Sequence, residues 1–539
     1  MSRNTFQSVL ASIDIYGATR HGTEKNDLLP PRLEDRVIGE VGRRFSESLV
    51  SKFSRGRYDP TPAVFVSVPK AGHTTRPAAL LTLGDRVVYE ALVDALRPRI
   101  DSAMIGPEIA FWPRGSVTPK QWRTFEASSV VDAATHIGLA DITAFYESIE
   151  HERVRDTLTE LTGRREVVDA LVEFLNRVMA SSRGIPQGLS ASDAIATAYL
   201  TPLDHSMSRE CVEYRRHGDD FRISARSYSE TKRILSVLEG QLRRTGLLLS
   251  GSKALIMAAG RYKSALDEGD RTVEQTRMAL LHDSIEALRG DQDAISDLLK
   301  RAGRDDLGWD FFYHGSVSFE DMVAQLTEHI SASDAQVAAR VFVEAMNHSP
   351  TTAEPLAPEV FHHRVTSSLA RLAAAKSDAA IGHVSDLLGV APEKTDIVAG
   401  YLLSARDEDA PSVVRAVFEI LESERFRTSW EKSWLMQVVG KFSEHVPAGK
   451  FDVINAIARD ENEQAMTRVE ALKALAKMGS CDQSLVRRLW NTQPIVFHPD
   501  LVAAVHAVRA SAAWSAAFLD GVRDDPINVV VLSHLAAVV

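Results

Sequence analysis

The order of hydrophobic and polar positions divides the chain into two parts. Between residues 60 and 260, short apolar runs such as AVFVSV, HIGLADI and FRISA alternate with longer segments such as RVVYEALVDAL and REVVDALVEFLNRVMA. Short apolar runs are typical of strands, and apolar residues three or four positions apart are typical of amphipathic helices. This part of the sequence therefore predicts a mixed α+β domain.

From residue 271 onward the strand-like runs fade and amphipathic segments follow one another, with Gly, Pro, Ser and Asp at most of the breaks. These residue types are the usual helix stops and caps. Helical hairpins that stack on one another give this pattern, so we predict an all-α solenoid of the HEAT-like type. A plain helical bundle is the alternative, because no repeat is strict enough to fix a period.

The segment INVVVLSHLAAVV, residues 527–539, is apolar on nearly every face of a helix. It is shorter than the ~18 residues that a membrane span needs, so either burial in the solenoid or a subunit interface must cover it. No apolar run in the sequence reaches the length of a membrane span, and the first residues lack the apolar centre of a signal peptide. We therefore expect a cytoplasmic protein without membrane contact.

Charge is distributed unevenly over the 539 residues, a length that predicts about two to four domains. Residues 1–270 carry 36 Lys and Arg against 35 Asp and Glu, whereas residues 271–539 carry 26 against 38. A phosphate-binding surface is thus expected in the first half. Two ordinary solvated surfaces are the alternative. Only Cys211 and Cys481 are present, too few for a cysteine-based zinc site or a disulfide framework.

Candidate chemistry begins with the stretch YRRHGDDFRI, which contains the adjacent acids Asp219 and Asp220. Such a pair alone decides little, because Asp-Asp also occurs at residues 305–306 and 524–525. A further acid, Asp141, ends the apolar run HIGLAD, where an unpaired carboxylate is costly unless it binds a metal. Asp141, Asp219 and Asp220 meet if the two strands pair side by side, and three carboxylates are what phosphoryl transfer with two Mg²⁺ ions requires.

Between these acids lies RGIPQGLSASDAIATAYL, residues 183–200, a loop rich in Gly and Pro that opens a helix of small residues. Ser190 and Asp193 have the spacing of a capping box at the helix start. The alanines of this helix should let it lie close to a sheet. Placed between two acid-bearing strands, the loop allows its backbone and Gln187 to approach a template base or an incoming nucleotide.

Taken in order, these motifs resemble those of reverse transcriptases. That family has an acid-bearing strand with an aromatic residue five positions later, a Pro-Gln-Gly loop, an Asp-Asp hairpin, and a Gly-Leu turn followed by a lysine. An earlier segment, VPKAGHTTRPAALLTLGDRVVYEAL, resembles the fingers, in which a lysine and an arginine hold the triphosphate. The matching positions are Lys70, Arg76, Asp141 with Tyr146, GIPQG at 184–188, Asp219-Asp220, and Lys253.

The resemblance implies a role for each of these residues. Asp141 and Asp219 would bind two Mg²⁺ ions with the support of Asp220, and Tyr146 would stack under the sugar and exclude a 2′-hydroxyl, which selects dNTPs.

The same resemblance assigns the triphosphate and the leaving group. Lys70 and Arg76 would neutralise the β- and γ-phosphates, Gln187 would contact the nascent base pair, and Lys253 would assist the leaving pyrophosphate.

One position departs from the family pattern, because His217 replaces the usual aromatic residue two positions before the first aspartate. Gly218-Asp219-Asp220 is instead the signature of RNA-dependent RNA polymerases, which is one alternative. Tyr146 and the Pro-Gln-Gly loop favour DNA synthesis. A second alternative is a catalytically silent, polymerase-derived binding or assembly protein. Whether the arginines around the Asp-Asp pair contact phosphate or form a solvated basic face is open.

A polymerase followed by a long acidic helical region resembles the abortive-infection and defence-associated reverse transcriptases of bacteria. The resemblance implies an N-terminal segment with the start of the fingers (1–59), fingers (60–130), palm (131–270) and a helical repeat domain in place of a thumb (271–539).

It also implies a homo-oligomer that acts on dNTPs, DNA and RNA, and DNA synthesis without a template from a tyrosine hydroxyl as primer. Tyr16 is the first candidate for that tyrosine, ahead of Tyr313 and Tyr401, and a packed structural role is open for each of them.

Overall fold

A computed structural model describes residues 2–21, 28–71, 74–106, 110–111, 119–288, 333–425, 427–509 and 514–538. Up to residue 288 helices and strands are mixed: α1 (Arg3–Ser12), α2 (Ile15–His21), α3 (Leu33–Ser54), β1 (Val64–Pro69), β2 (Thr75–Leu80), α4 (Leu83–Asp94), α5 (Arg97–Ala103), β3 (Ala110–Phe111), α6 (Pro119–Ser128), β4 (His136–Asp141), α7 (Phe145–Ser148), α8 (His151–Thr162), α9 (Arg165–Met179), α10 (Ser190–Met207), β5 (Glu213–His217), β6 (Asp220–Ala225), α11 (Tyr228–Arg244), β7 (Leu255–Ala258) and α12 (Ala259–Leu288).

From residue 333 the described elements are helical: α13 (Asp334–Asn347), α14 (Pro358–Ala374), α15 (Val384–Val390), α16 (Thr395–Ser404), α17 (Ala410–Leu421), α18 (Ser429–Lys441), α19 (Phe451–Arg459), α20 (Ala465–Lys477), α21 (Gln483–Thr492), α22 (His498–Arg509), α23 (Ala516–Arg523) and α24 (Pro526–Val538). None of the described helices combines the length and the apolarity that a membrane crossing requires.

The chain forms two compact units. One contains Met1–Leu266 together with Phe426–Val539, and the other contains Asp267–Arg425. The mixed α/β part therefore shares a unit with helices α18 to α24, while α13 to α17 belong to the other unit. The fourfold division of the chain with a boundary at residue 271 stays a prediction.

A five-stranded sheet in the order β3-β5-β6-β4-β7 is the centre of the mixed part. Strand β4 pairs antiparallel with β6 on one side and with β7 on the other. Strands β5 and β6 form a hairpin whose last pair is His217 with Asp220, so Gly218 and Asp219 are its two-residue loop. Gly218 has φ of 58°, which glycine adopts without strain at the first position of such a loop.

The close approach of helix α11 to this sheet depends on a glycine in β4. Helix α11 packs against β4, β6 and β7. A Cβ atom on Gly138 would lie 2.9 Å from Cγ2 of Thr231, which is closer than real side chains tolerate. The absence of a side chain at Gly138 therefore allows α11 to cover the apolar strands that end at the acids.

In the helical part, several helices pack against the second helix along the chain, and others, such as α13 with α14 and α19 with α20, pack against the next one. In the unit of residues 267–425, α14 packs against α16 and α15 against α17. In the other unit, α18 packs against α20, α20 against α22, and α22 against α24. The predicted change from mixed to helical structure is confirmed. The HEAT-like type of this packing stays a prediction.

The apolar terminal helix α24 packs against both α22 and the N-terminal helix α3. Val531 joins a buried cluster with Val37 of α3, Val502 of α22 and Val522 of α23. Burial within the chain thus covers this side of the helix. Val529 is 40% exposed, and a subunit interface there stays a prediction.

Buried charges hold α3 to the last helices of the same unit. Nε of Arg32 donates to Asp500 Oδ2 (2.9 Å), and Lys473 Nζ lies 3.1 Å from Asp500 Oδ1. Arg86 of α4 contacts Glu34, which also pairs with Arg32. Burial raises the pKa of the Asp500 carboxyl, but Lys473 and Arg32 outweigh burial and hold it below its ordinary range. The network thus joins the beginning and the end of the chain through charges that are individually costly to bury.

We expect Asp500→Asn to lower the free energy of unfolding by about 3 kcal/mol, because Arg32 and Lys473 stay buried without their shared carboxylate. Urea denaturation at neutral pH measures the loss, and Asp452→Asn on the exposed face of α19 is the matched control. Since the folded pKa of Asp500 is lowered, its contribution is present above a pH of about 4 and disappears as the pH falls. A loss below about 1 kcal/mol, the range of a surface pair, would contradict this assignment.

Candidate active site

Three carboxylates converge where β4 ends and the β5–β6 hairpin turns. In the pairing of β4 with β6, Asp141 lies directly opposite Asp220, and the amide of Ile142 donates to the carbonyl of Asp219 (3.2 Å). Ligand atoms of Asp141, Asp219 and Asp220 all lie within 4.8 Å of one another. The structure thus brings together the three acids that the sequence predicts as metal ligands.

The cluster is short of positive charge. Burial raises the pKa of Asp219 to about 7, and the charges of Asp220 and Asp141 add to this effect. Burial also raises the pKa of Asp220, although Arg222 opposes the change. Carboxylates that are buried side by side disfavour ionisation of one another, so a cation at this position has a strong electrostatic advantage.

Lys253 supplies one positive charge to the cluster. Its Nζ lies 2.5 Å from Oδ2 of Asp141. Burial lowers the pKa of Lys253, but the hydrogen bond to Asp141 and the charges of the three acids outweigh burial and raise it. The turn before this lysine is fixed by Ser250, whose amide donates to the Asp141 carbonyl (2.8 Å). The structure thus places the predicted lysine directly against the carboxylate cluster.

A buried ion pair between Arg216 and Asp204 holds the Asp-Asp hairpin against helix α10. Nε and Nη2 of Arg216 donate to the two carboxylate oxygens of Asp204 on α10 (2.8 and 2.6 Å). Its Nη1 donates to the carbonyl of Gly218 in the hairpin loop (2.9 Å), and Tyr214 donates to Asp204 (2.8 Å). Arg216 is fully buried and paired, so it forms neither a phosphate contact nor part of a solvated basic face.

Tyr146 lies beside the cluster on α7, a one-turn helix that follows β4. Its hydroxyl donates to Oδ1 of Asp193 (2.5 Å), and its ring meets that of Phe145 edge to face. Burial raises the pKa of Tyr146 well above its ordinary value, and the negative charges of Asp193 and Asp219 act in the same direction. The hydroxyl therefore stays protonated and acts as a donor.

The Pro-Gln-Gly loop is fastened to the segment around Tyr146. The amide of Ile185 donates to the Tyr146 carbonyl (2.9 Å), and His151 Nε2 donates to the Gly184 carbonyl (2.6 Å). Ser192 of α10 donates to the Pro186 carbonyl (2.5 Å). Gln187 lies half-buried between these fixed points, so its position is set by a braced loop.

Helix α10 differs from the sequence expectation at its start. The N-cap is Leu189, without a side-chain hydrogen bond, so the predicted capping box of Ser190 and Asp193 is wrong. Asp193 instead accepts from Tyr146, because a tertiary partner competes with the local cap. The alanines of α10 are buried as expected, and the helix packs against α4, α5 and α8.

The two predicted triphosphate ligands lie on one hairpin. Lys70 follows β1 and Arg76 lies on β2, opposite Val68. The backbone amide of Lys70 donates to the Thr74 carbonyl (2.8 Å). Arg76 has a buried Nε with no hydrogen-bond partner among the described residues. An unpaired buried guanidinium nitrogen is suited to an anionic ligand.

His217, which departs from the family pattern, is packed among aromatic rings. Its ring centroid lies 5.2 Å from that of Trp122 and 5.5 Å from that of Phe125, both on α6. Burial lowers the pKa of His217, so the ring is held neutral. Here an imidazole fills the place of the usual aromatic residue by packing against α6.

The three candidate priming tyrosines have different settings. Tyr16 on α2 is 47% exposed and makes no hydrogen bond or ring contact with the described residues. Tyr401 is buried, and its hydroxyl donates to the Ser377 carbonyl (2.8 Å), which is a structural role. Tyr313 lies outside the described residues. Tyr16 is not part of the carboxylate cluster.

The donor set fits a divalent cation of the magnesium type. Carboxylate oxygens are the ligands that such hard cations prefer, and the three side chains offer ligand atoms within one coordination sphere of each other. Burial raises the pKa of both Asp219 and Asp220, the neighbouring carboxylates add to this effect, and Lys253 and Arg222 oppose it only in part. A bound cation would relieve this repulsion.

Sequence reasoning missed two residues that hold the site. Asp204 lies in the interior of α10 and Arg216 in an alternating strand, where each has the pattern of an exposed charge. A signal was present in the spacing of Tyr214 and Arg216, which share one face of β5 and are both buried. An arginine on the buried face of a strand requires an acidic partner.

Residues 68–282 match the family model of reverse transcriptase, described as RNA-dependent DNA polymerase. The match begins at the end of β1 and ends within α12, so it contains the carboxylate cluster, the Pro-Gln-Gly loop, and both Lys70 and Arg76. This part of the chain is therefore similar to a reverse transcriptase domain. No curated protein sequence matches the chain.

Among solved structures, the chain is similar to telomerases. Apo telomerase from Candida tropicalis truncated from its C-terminal domain is 10% identical with a TM-score of 0.29, over 40% of this chain and 55% of that chain. Candida albicans telomerase in complex with a TWJ fragment of telomeric RNA is 10% identical with a TM-score of 0.30, over 76% and 67%. The chain thus spans about half the length of the first of these, and likenesses this distant carry no argument about its activity.

We expect Mg²⁺ to raise the midpoint of thermal unfolding of the wild-type protein, because a ligand that binds only the folded state stabilises it. The gain is about 2.7 kcal/mol at a concentration ~100-fold above the dissociation constant. Asp219→Asn should remove this gain and, without Mg²⁺, should leave the protein as stable as wild type or more stable, because one repelling charge is gone.

Differential scanning fluorimetry with and without Mg²⁺ measures both effects. Asp524→Asn is the matched control, since Asp524 belongs to another Asp-Asp pair and is exposed. An unchanged Mg²⁺ response in Asp219→Asn would show that the cation binds elsewhere.

Proposed function

We propose that the chain is a bacterial defence-associated reverse transcriptase that joins deoxynucleotides at the cluster of Asp141, Asp219 and Asp220. The observation that carries the proposal is the convergence of these carboxylates on one point, with Tyr146 beside them. A cluster of acids alone would suit many metal-dependent enzymes. The aromatic residue and the braced Pro-Gln-Gly loop favour polymerisation.

The three aspartates would hold two Mg²⁺ ions. Bound divalent cations lower the barrier by activating the attacking hydroxyl and by neutralising charge on the leaving pyrophosphate. Lys253, already against Asp141, is able to exchange that carboxylate for a phosphate oxygen, since its side chain is largely exposed. Arg216 keeps the hairpin fixed throughout, which holds Asp219 and Asp220 at the same place with and without substrate.

Lys70 and Arg76 would bind the triphosphate. The unpaired Nε of Arg76 supports this role, because a phosphate oxygen gives the guanidinium the acceptor that it lacks. Gln187 would contact the nascent base pair from its braced loop. These interactions would orient the α-phosphate towards the carboxylates, and orientation accounts for a large part of the rate in phosphoryl transfer.

Tyr146 would select deoxynucleotides by occupying the space that a 2′-hydroxyl needs. The alternative of an RNA polymerase is less well supported, because the position five residues after Asp141 carries this ring instead of an acid that accepts a 2′-hydroxyl. A catalytically silent protein is also less well supported, since Lys253 lies against Asp141 and the buried Nε of Arg76 has no partner among the described residues.

The helical region supports the defence-associated subtype. Helices that pack against the second helix along the chain are typical of HEAT-like repeats, which would replace a thumb. We propose that the repeats also assemble the protein into a homo-oligomer in the cytoplasm, and that DNA and RNA are its macromolecular partners.

Tyr16 is the proposed primer for synthesis without a nucleic-acid primer. It is the more exposed of the two described candidates, Tyr16 and Tyr401, and its hydroxyl makes no hydrogen bond with the described residues. A tyrosine hydroxyl that receives the first nucleotide would leave the product attached to the protein.

We expect purified protein with Mg²⁺ and one labelled dNTP at a time to incorporate label without added template or primer. The label should remain with the protein on a denaturing gel and be released by proteinase. Asp219→Ala with Asp220→Ala should abolish incorporation while the thermal unfolding profile measured without Mg²⁺ is kept.

Label that appears only after an RNA template and a primer are added would contradict protein priming and untemplated synthesis, but not the polymerase activity. Incorporation that persists in the double variant would contradict the proposed site. Preference for NTPs over dNTPs would favour the RNA polymerase.

We expect Tyr16→Phe to abolish protein-attached label while extension of an added primer continues at the wild-type rate, because only the initiating hydroxyl is lost. Tyr228→Phe is the matched control, since Tyr228 is also exposed (56%) and lies on α11. Equal attached label in wild type and Tyr16→Phe would assign priming to another residue.

A further inference from the structure

Tyr146 is held at both of its ends by a single stretch of chain. Its backbone carbonyl accepts from the amide of Ile185, before the Pro-Gln-Gly motif, and its side-chain hydroxyl donates to Asp193, after that motif. The ring therefore spans the loop that carries Gln187. A tyrosine fixed only by its backbone could change its rotamer, whereas this one has its far end tied as well.

The bond between Tyr146 and Asp193 joins a hydroxyl donor to a carboxylate acceptor. The two oxygen atoms lie 2.5 Å apart, which is within the usual range for a charge-assisted bond of this type. Asp193 lies in the first turn of α10, where the free amides of the helix stabilise a negative charge. Charged Asp193 is thus a favourable acceptor, and its carboxylate is engaged with Tyr146 rather than with the helix cap.

Asp193 is itself supported by neighbouring contacts of α10. The preceding residue, Ser192, donates to the Pro186 carbonyl and shares a hydrogen bond with the buried Tyr89 (2.8 Å). Tyr89 in turn stacks on Phe174. The start of α10 is therefore fixed to the core. Because Asp193 cannot easily move, the hydroxyl of Tyr146 that donates to it is fixed as well.

We propose that Asp193 is a specificity-determining positioning residue, which keeps the ring of Tyr146 where it collides with a 2′-hydroxyl and so gives the enzyme its choice of sugar. The inference rests on the proposed function, in which Tyr146 lies under the sugar of the incoming nucleotide. It adds that the tyrosine alone is insufficient. Without Asp193 the ring turns aside, and a ribonucleotide enters at little cost.

The test compares dCTP with CTP, two substrates that differ only in the 2′-hydroxyl. We expect Asp193→Ala to lower the ratio of kcat/KM for dCTP over CTP about tenfold, the effect of losing one hydrogen bond to a charged partner. Tyr146→Phe should give a similar fall, since it removes the same bond from the other side. Asp193→Asn keeps an acceptor oxygen and should preserve most of the ratio.

The double variant Asp193→Ala with Tyr146→Phe separates a pair from two independent residues. If the two side chains act through one bond, the double variant loses no more discrimination than either single variant. Tyr199→Phe is the matched control. It also lies on α10 and loses a hydroxyl bond, to the Thr245 carbonyl (2.7 Å), and the sugar ratio should stay at the wild-type value.

Each outcome decides the inference. An unchanged ratio in Asp193→Ala, with a lowered ratio in Tyr146→Ala, would overturn it and leave Tyr146 as the sole determinant. A fall in Tyr199→Phe equal to that in Asp193→Ala would also overturn it, because any loosening of α10 would then suffice.

Failure of the proposed function has a different signature, namely no incorporation of either nucleotide by the wild-type protein. In that case calorimetry with Mg²⁺-dCTP and Mg²⁺-CTP measures the same ratio as affinities. Equal ratios in wild type and Asp193→Ala would then overturn the inference.

Discussion

The mutual repulsion of three carboxylates is the constraint on which the rest of the site depends. Asp141 and Asp220 are held opposite each other by strand register, and Asp219 lies just before Asp220 in a two-residue loop with little freedom to move away. An isolated hairpin would relieve the repulsion by bending. Here Arg216 holds the loop through a backbone carbonyl, so the bond does not alter the charge of the acids. The hairpin loop is therefore held rigid without neutralising the three carboxylates, and their negative charge remains available to a cationic ligand.

Helix α10 is the common support of two sides of the site. Its first turn carries Asp193, which fixes the aromatic ring, and its last turns carry Asp204, which fixes the hairpin through Arg216. Because an α-helix keeps its rise of 1.5 Å per residue, the spacing between these two contacts is set by the helix backbone, in which Pro202 lacks an amide donor. Its small buried side chains permit this central position. A substitution that bends the helix would displace the ring and the carboxylate cluster together.

The sequence allowed prediction of local features and of one tertiary feature. Convergence of Asp141 with Asp219 and Asp220 was predictable, because strand pairing has few registers and acids in buried strands need a reason. The hydrogen bond between Tyr146 and Asp193 was not predictable, since the Asp193 carboxylate was equally plausible as part of a helix cap. In the helical region, amphipathic periodicity predicted the helices and their apolar faces. It does not predict which other element packs on each apolar face. The packing of α24 on α3 depends on contacts between residues about 500 positions apart, such as Val37 and Val531.

The ion pair between Arg32 and Asp500 has a consequence for the order of events during synthesis. A ribosome adds about 5–20 residues per second, so Asp500 is synthesised tens of seconds after Arg32, its ion-pair partner. During this time the apolar face of α3 and its charges lack their final covering from α22 and α24. The first unit therefore reaches its complete native contacts only after helices α22 and α24 have emerged. A nascent chain that still lacks these helices has an exposed surface on α3, and such surfaces are what chaperones and proteases recognise.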